Sequence, residues 1–183
     1  KRVPEMTNQN EQLSEEFYEL LEEAELDPLQ KEKLEKNYAT ELQVIRRPDR
    51  LERVAEHIVY HFPRRGYLGK GVVISLDKFT AVRMFNLVED LWKKAIKELT
   101  GQVSQASMSA EKAVLKKRLD WMKRVEMAVV VSHEAGEEER FAKEKLDITR
   151  HRKRMDALDT HGHDVEFNFK DPEHPLQLVF VCA

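Results

Sequence analysis

Cysteine occurs once in the 183 residues, at Cys182, so no internal disulfide can form and a reducing compartment is expected. Glycine and proline number six each, which excludes collagen, glycine-rich repeats and a proline-rich linker. No apolar run approaches the ~18 residues of a membrane helix, and mean hydropathy is -0.63, so no membrane partner is expected. The start carries neither an initiator methionine nor a signal peptide, and an excised piece is expected. Signatures of catalysis are missing as well: there is no G-x-S-x-G, H-E-x-x-H or C-x-x-C. The many carboxylates sit at helical surface spacings, which fits solvated i,i+4 pairs better than a catalytic dyad.

What is abundant is charge, at 36% of residues, in a chain of 21.5 kDa with a formal net charge of -3. That balance argues against a globally basic nucleic-acid coat but leaves room for a local patch. The charge is unevenly spread. Residues 1–40 hold 5 Lys+Arg and 11 Asp+Glu; residues 41–100 hold 12 and 8. The front therefore reads as a separate acidic helical element, and the middle is where an anionic partner would dock.

The apolar pattern divides the rest. Ser14 opens a helix with Phe17, Leu20, Leu21 and Ala24 on one face, and Asp27-Pro28 opens a second through about Tyr38. Pro48-Asp49 opens a third, with Leu51, Val54, Ala55, Ile58, Val59 and Phe62 in step, ended by Pro63. The period then changes. Gly71-Val-Val-Ile-Ser-Leu76 reads as a strand covered on both faces. Asp77 follows as an expected N-cap, and a helix runs from Lys78 to about Leu99, the start of a βαβ unit. Residues 101–109 read as a polar loop, about Ala110 to Val125 as a helix, and Met127–Ser132 as a second buried strand. Short helices are expected near Glu138–Lys145 and Arg150–Leu158, a loop over 164–175, and a third strand over Leu176–Cys182. The fold class is α/β and helix-rich, with about three parallel strands flanked by helices. A buried strand at the end suggests truncation, which could leave an edge at Leu176–Cys182 open to self-association.

Gly66-Tyr-Leu-Gly69-Lys70-Gly71 fails as a phosphate loop, because its glycines are three apart and it precedes a strand; a turn is expected. His57 and His61 share a helix face without an obvious third ligand, and His161-Gly-His163 reads as polar loop. Cys182 reads as an inert core thiol. The informative turn is Ser75 to Arg83. Ser75, Lys78 and Thr80 lie where free N–H groups and the helix dipole attract phosphate, with Arg83 a turn further on. The competing reading is that Asp77 caps the helix with its own carboxylate and the cations merely solvate it. The residues alone leave both open.

Four blocks, RPDRLERVAEHIVYHF, GKGVVISLDKFTAVRMFNLVEDLW, WMKRVEMAVVVS and FKDPEHPLQLVFVCA, resemble in order and spacing the restriction (R) subunit of type I restriction-modification enzymes. The resemblance runs from about Pro48 to Ala183. It implies a superfamily 2 DNA translocase whose two RecA-like (P-loop NTPase type) lobes bind ATP and Mg2+ between them. It also implies double-stranded DNA and the modification and specificity subunits as partners, and a cytoplasmic location in a bacterium or archaeon. By that resemblance, residues 1–47 are an acidic helical linker. Residues 48–183 are part of the second lobe, with a helical insertion at about 101–126 and truncation at the C-terminus. VVISLDKFTAVRMF resembles motif IV, which implies DNA-backbone contact by Ser75, Lys78, Thr80 and Arg83. LVFVCA resembles the strand before motif V.

No Walker A or B box, motif VI arginine or nuclease carboxylate-lysine set is present. The parent would be an ATP-dependent deoxyribonuclease, while this fragment is expected to bind no ATP or Mg2+ alone and to be inactive. The alternative is a non-catalytic helical protein-interaction module, which predicts a discrete exposed apolar patch.

Overall fold

The computed structural model describes residues 29, 33–34, 44–65, 69–107 and 109–182. The two helices expected within 14–38 lie almost wholly outside the described residues. The chain forms two compact units, Lys1–Leu51 and Glu52–Ala183.

Helix α1 spans Pro48–His61, and Pro63 converts its end into a single 3-10 turn, Phe62–Arg64. A proline there has no N–H to continue the α-helical ladder. Strand β1, Gly71–Ser75, leads into α2, Lys78–Gln105, and α3, Ser109–Arg124. Then follow β2, Glu126–Val129, and three short helices: α4, Glu137–Lys143; α5, Thr149–Asp156; and α6, Val165–Lys170. Strand β3, Leu176–Cys182, closes the unit.

The three strands are parallel in the order β1-β3-β2. β3 is therefore central, and the edges belong to β1 and β2, which corrects the expected open edge at Leu176–Cys182. Central position explains why Leu176, Leu178, Val179 and Phe180 are all buried. Helix α2 contacts all three strands and buries Val82, Phe85 and Val88, and Phe85 meets Phe180 edge-on at 5.4 Å. The rings of Phe62, Trp92 and Trp121 meet at 5.7–6.2 Å, and Trp92 Nε1–H donates to the Met122 carbonyl at 3.0 Å. Those contacts join the 3-10 turn to α2 and α3. Gly71 sits under this cluster, where a Cβ would come within 2.6 Å of the Phe62 ring. Only glycine fits that approach.

The opposite sheet face is covered unequally. Helix α6 buries Val165 against Ala128, Leu176 and Val179, with Phe169 and Val181 beside them. Among the described residues nothing comparable reaches β1, where Val72 is 51% and Ile74 70% exposed. The expectation of a β1 strand covered on both faces is thus wrong, because β1 is an edge strand with helix on one side.

Three further corrections concern boundaries. Helix α2 runs through Gly101 to Gln105, so only residues 106 and 107 of the expected polar loop are non-helical among those described before α3 begins at Ser109. Strand β2 ends at Val129 rather than Ser132. The expected loop over 164–175 contains α6, capped by Asp164, which accepts from the Phe167 N–H at 2.7 Å.

Candidate functional site

The carboxyl edge of the sheet gathers the ends of β1 and β3, where Ser75 and Cys182 are register partners, and the loop leaving β2. Ser75 is buried there. Asp77 follows in extended backbone and caps α2. Its Oδ1 accepts from the Thr80 N–H at 2.8 Å and its Oδ2 from the Thr80 hydroxyl at 2.8 Å. Thr80 is 3% exposed, so both its polar groups face Asp77 rather than solvent. Of the two readings of this turn, the occupied cap is the one the geometry contains.

The two cations are paired. Lys78 Nζ lies 2.9 Å from Glu134 Oε1, and Glu134 also takes Arg140 through its other oxygen. Arg83 pairs with Glu144, beyond the end of α4. Ser75, Lys78 and Thr80 therefore sit within one turn of the Asp77 cap, while Arg83 is directed to a separate carboxylate. Burial pushes the Cys182 thiol up, the Asp77 and Glu134 charges add to that, and the Lys78 charge opposes it. A thiol held protonated is a poor nucleophile.

Sequence reasoning missed the pair beneath this edge. Arg152 on α5 meets the buried Glu137 at the start of α4, and its guanidinium also donates to the carbonyls of Val131 at 2.7 Å and Ser132 at 2.6 Å. Gly136, at φ +70°, supplies the left-handed residue that turns the chain into α4. Glu137 stands in a run of three glutamates, a pattern that reads as a solvated face.

The other candidates resolve into packing. Lys70 Nζ donates to the carbonyls of Asn168 at 2.9 Å, Leu176 at 2.8 Å and His174 at 3.4 Å, which ties the approach to β1 to the α6–β3 connection. Burial lowers its pKa. An ammonium so used is not a phosphate ligand. The His57 and His61 rings lie 4.1 Å apart, and His163 stacks on Phe167 at 3.9 Å. Among the described residues no group of three or more His, Cys, Asp or Glu could hold a metal ion. No described helix is long and apolar enough to cross a membrane. A groove of about 640 Å3 opens at the amino edge of the sheet, between Lys70, Trp121, Arg124, Pro172, Glu173 and Pro175.

The carboxyl edge does not fit the phosphates of ATP or their Mg2+. The turn from Ser75 to Thr80 has no glycine, its cap is filled by a carboxylate, and Lys78 is paired. No protein-family model, curated protein or solved structure matches the chain.

Proposed function

We propose that this chain is a structural part of an ATP-driven DNA translocase, the motor of a type I restriction enzyme R subunit, contributing to its second RecA-like lobe. ATP, Mg2+, duplex DNA and the modification and specificity subunits belong to the parent assembly in this reading. The observation that carries it is the parallel order β1-β3-β2, with Ser75 and Cys182 side by side at one edge. A parallel sheet whose strands are joined by helical crossovers is an open α/β sheet, and such sheets bind ligands outside the carboxyl ends of their strands. The segment that resembles motif IV occupies that edge.

On this reading the Asp77 cap and the Lys78–Glu134 and Arg83–Glu144 pairs hold the edge in shape without DNA. Phosphate would have to compete with Glu134 and Glu144 for the same cations, so backbone contact at this turn is weak and strongly salt-dependent. The test is duplex binding by the Lys78→Ala, Arg83→Ala double variant. A loss relative to wild type is expected. Unchanged binding removes Ser75, Lys78, Thr80 and Arg83 from the DNA interface.

The second reading, a non-catalytic interaction module, is favoured by the apolar Val72–Ile74 surface on β1. It predicts protein binding that is abolished by Ile74→Lys and indifferent to DNA.

A further inference from the structure

We propose that the solvent-exposed side of α3, from the flank beside Leu119 round to the outward face, is a docking surface for the phosphate backbone of duplex DNA, separate from the β1–α2 turn. Helix α3 carries Lys112, Lys116, Lys117, Arg118, Lys123 and Arg124 against Glu111 and Asp120, a net charge of +4 in a chain whose total is -3. Leu119 and Met122 are buried, and they fix the inward face. At 100° per residue, Lys112, Lys116 and Lys123 fall within about 40° of one another, on the exposed flank next to Leu119. Lys117 and Arg124 form a parallel row beside them, and Asp120 alone interrupts the two. All five of these basic residues are exposed.

Several described cations elsewhere in the unit are paired, and those of α3 are not. Lys78 and Arg83 are tied to Glu134 and Glu144, and Arg140, Arg150, Arg152 and Arg154 each meet a carboxylate as well. Among the described residues, no ion pair engages a basic side chain of α3. A solvated helix in so charged a chain ordinarily mixes its signs; this one keeps five cations and one acid on a single rigid face. From Lys112 to Lys123 the row spans about 16 Å at 1.5 Å per residue. Duplex DNA presents a charge every ~1.7 Å along its axis, so a straight cationic row of that length meets several phosphates at once. The C-terminal end of the row reaches the amino-edge groove through Arg124, beside Trp121. Lys78 lies at the carboxyl edge, so the two surfaces can be varied independently. The choice of duplex DNA over another polyanion rests on the motor reading.

The experiment is anisotropy of a short labelled duplex with the full chain between about 50 and 200 mM salt. For Lys112→Ala/Lys116→Ala/Lys123→Ala, the slope of log affinity on log salt is expected to become shallower by about 2–3, with affinity down roughly tenfold or more at the low-salt end. Asp120→Asn is expected to tighten binding. Lys112, Lys116, Lys123 and Asp120 are exposed, and an unchanged thermal midpoint establishes that each variant folds. If the triple variant binds as wild type does while Lys78→Ala/Arg83→Ala weakens, the inference falls and the motor reading stands. The reverse pattern supports the inference and removes the turn from the interface. No duplex binding by wild type, or equal binding to phosphatidylserine vesicles lost in the same triple variant, overturns DNA as the occupant. So does a dimer that the triple variant abolishes, which would make a second copy the partner.

Discussion

The Arg152 guanidinium holds the Glu137 carboxylate by both oxygens, Nε to Oε1 at 2.5 Å and Nη2 to Oε2 at 2.7 Å, with Glu137 only 3% exposed. Because the same guanidinium also bonds the Val131 and Ser132 carbonyls, one side chain joins α5, the start of α4 and the exit of β2. The edge carrying Lys78 and Glu134 is built on that junction, since the Glu134 N–H donates to Glu137 Oε2 at 3.3 Å.

Removing one partner leaves a charge in a site that water reaches poorly. Glu137→Leu is expected to cost about 3 kcal/mol, the low end for broken buried pairs, because Arg152 keeps some solvent contact. Adding Arg152→Met should restore part of that loss, since an apolar pair of similar volume is often no worse than a buried ion pair. Urea unfolding of the two variants and the double variant measures both steps. A double variant no more stable than Glu137→Leu alone would show that the backbone carbonyls, not the carboxylate, are what Arg152 chiefly serves.

Asp77→Ala removes an N-cap and strands the buried Thr80 hydroxyl. The expected loss is about 1–2 kcal/mol. Asp77→Ser should keep most of the stability, because its hydroxyl can still accept from the Thr80 N–H. Thermal unfolding of the two variants gives the comparison. Equal losses would mean that the cap hydrogen bond contributes little.

His151 makes stability fall in mild acid. It is 4% exposed and packs edge-on against Phe85 at 4.7 Å. Burial, helped by the Arg150 charge and opposed by Asp147 and Glu89, lowers its pKa from 6.5 to about 4. Between those values the unfolded chain binds a proton that the folded chain refuses, so stability rises with pH across that window. The loss on descending from pH 7 to 4 is at most about 3 kcal/mol from this group. His151→Gln should flatten that part of the profile, measured by urea unfolding at stepped pH. A profile with the same slope would assign the acid sensitivity to the carboxylates instead.

Local patterns carried much of the architecture. The three apolar runs are strands, and the helix expected from Lys78 is α2, which buries Ala81, Val82, Met84, Phe85, Val88, Trp92 and Leu99. Asp77 is the cap that its type and place suggested. Strand neighbours, by contrast, are set by crossovers. Nothing within Gly71–Leu76 says that β1 lies at an edge, or that β3 enters between β1 and β2. The site suffered from the same limit. Arg83 finds Glu144 at a separation of 61 residues, and 34 acids were available to choose from. Which cations are neutralised, and which remain free on α3, is decided by that non-local pairing.

The two faces of the sheet should therefore answer differently to substitution. Phe180 is fully buried in the central strand, against Phe85, and Phe180→Ala is expected to cost about 3–5 kcal/mol. Ile74 is an apolar residue in the edge strand, 70% exposed, and Ile74→Lys is expected to change stability by no more than about 0.5 kcal/mol. A sequence-level view of β1 as a strand covered on both faces predicts the opposite for Ile74, a severe loss from burying a charge. Chemical denaturation of the two variants decides between them. A large loss in Ile74→Lys would mean that this face is covered in solution, and the Val72–Ile74 surface would then be core rather than a place to bind.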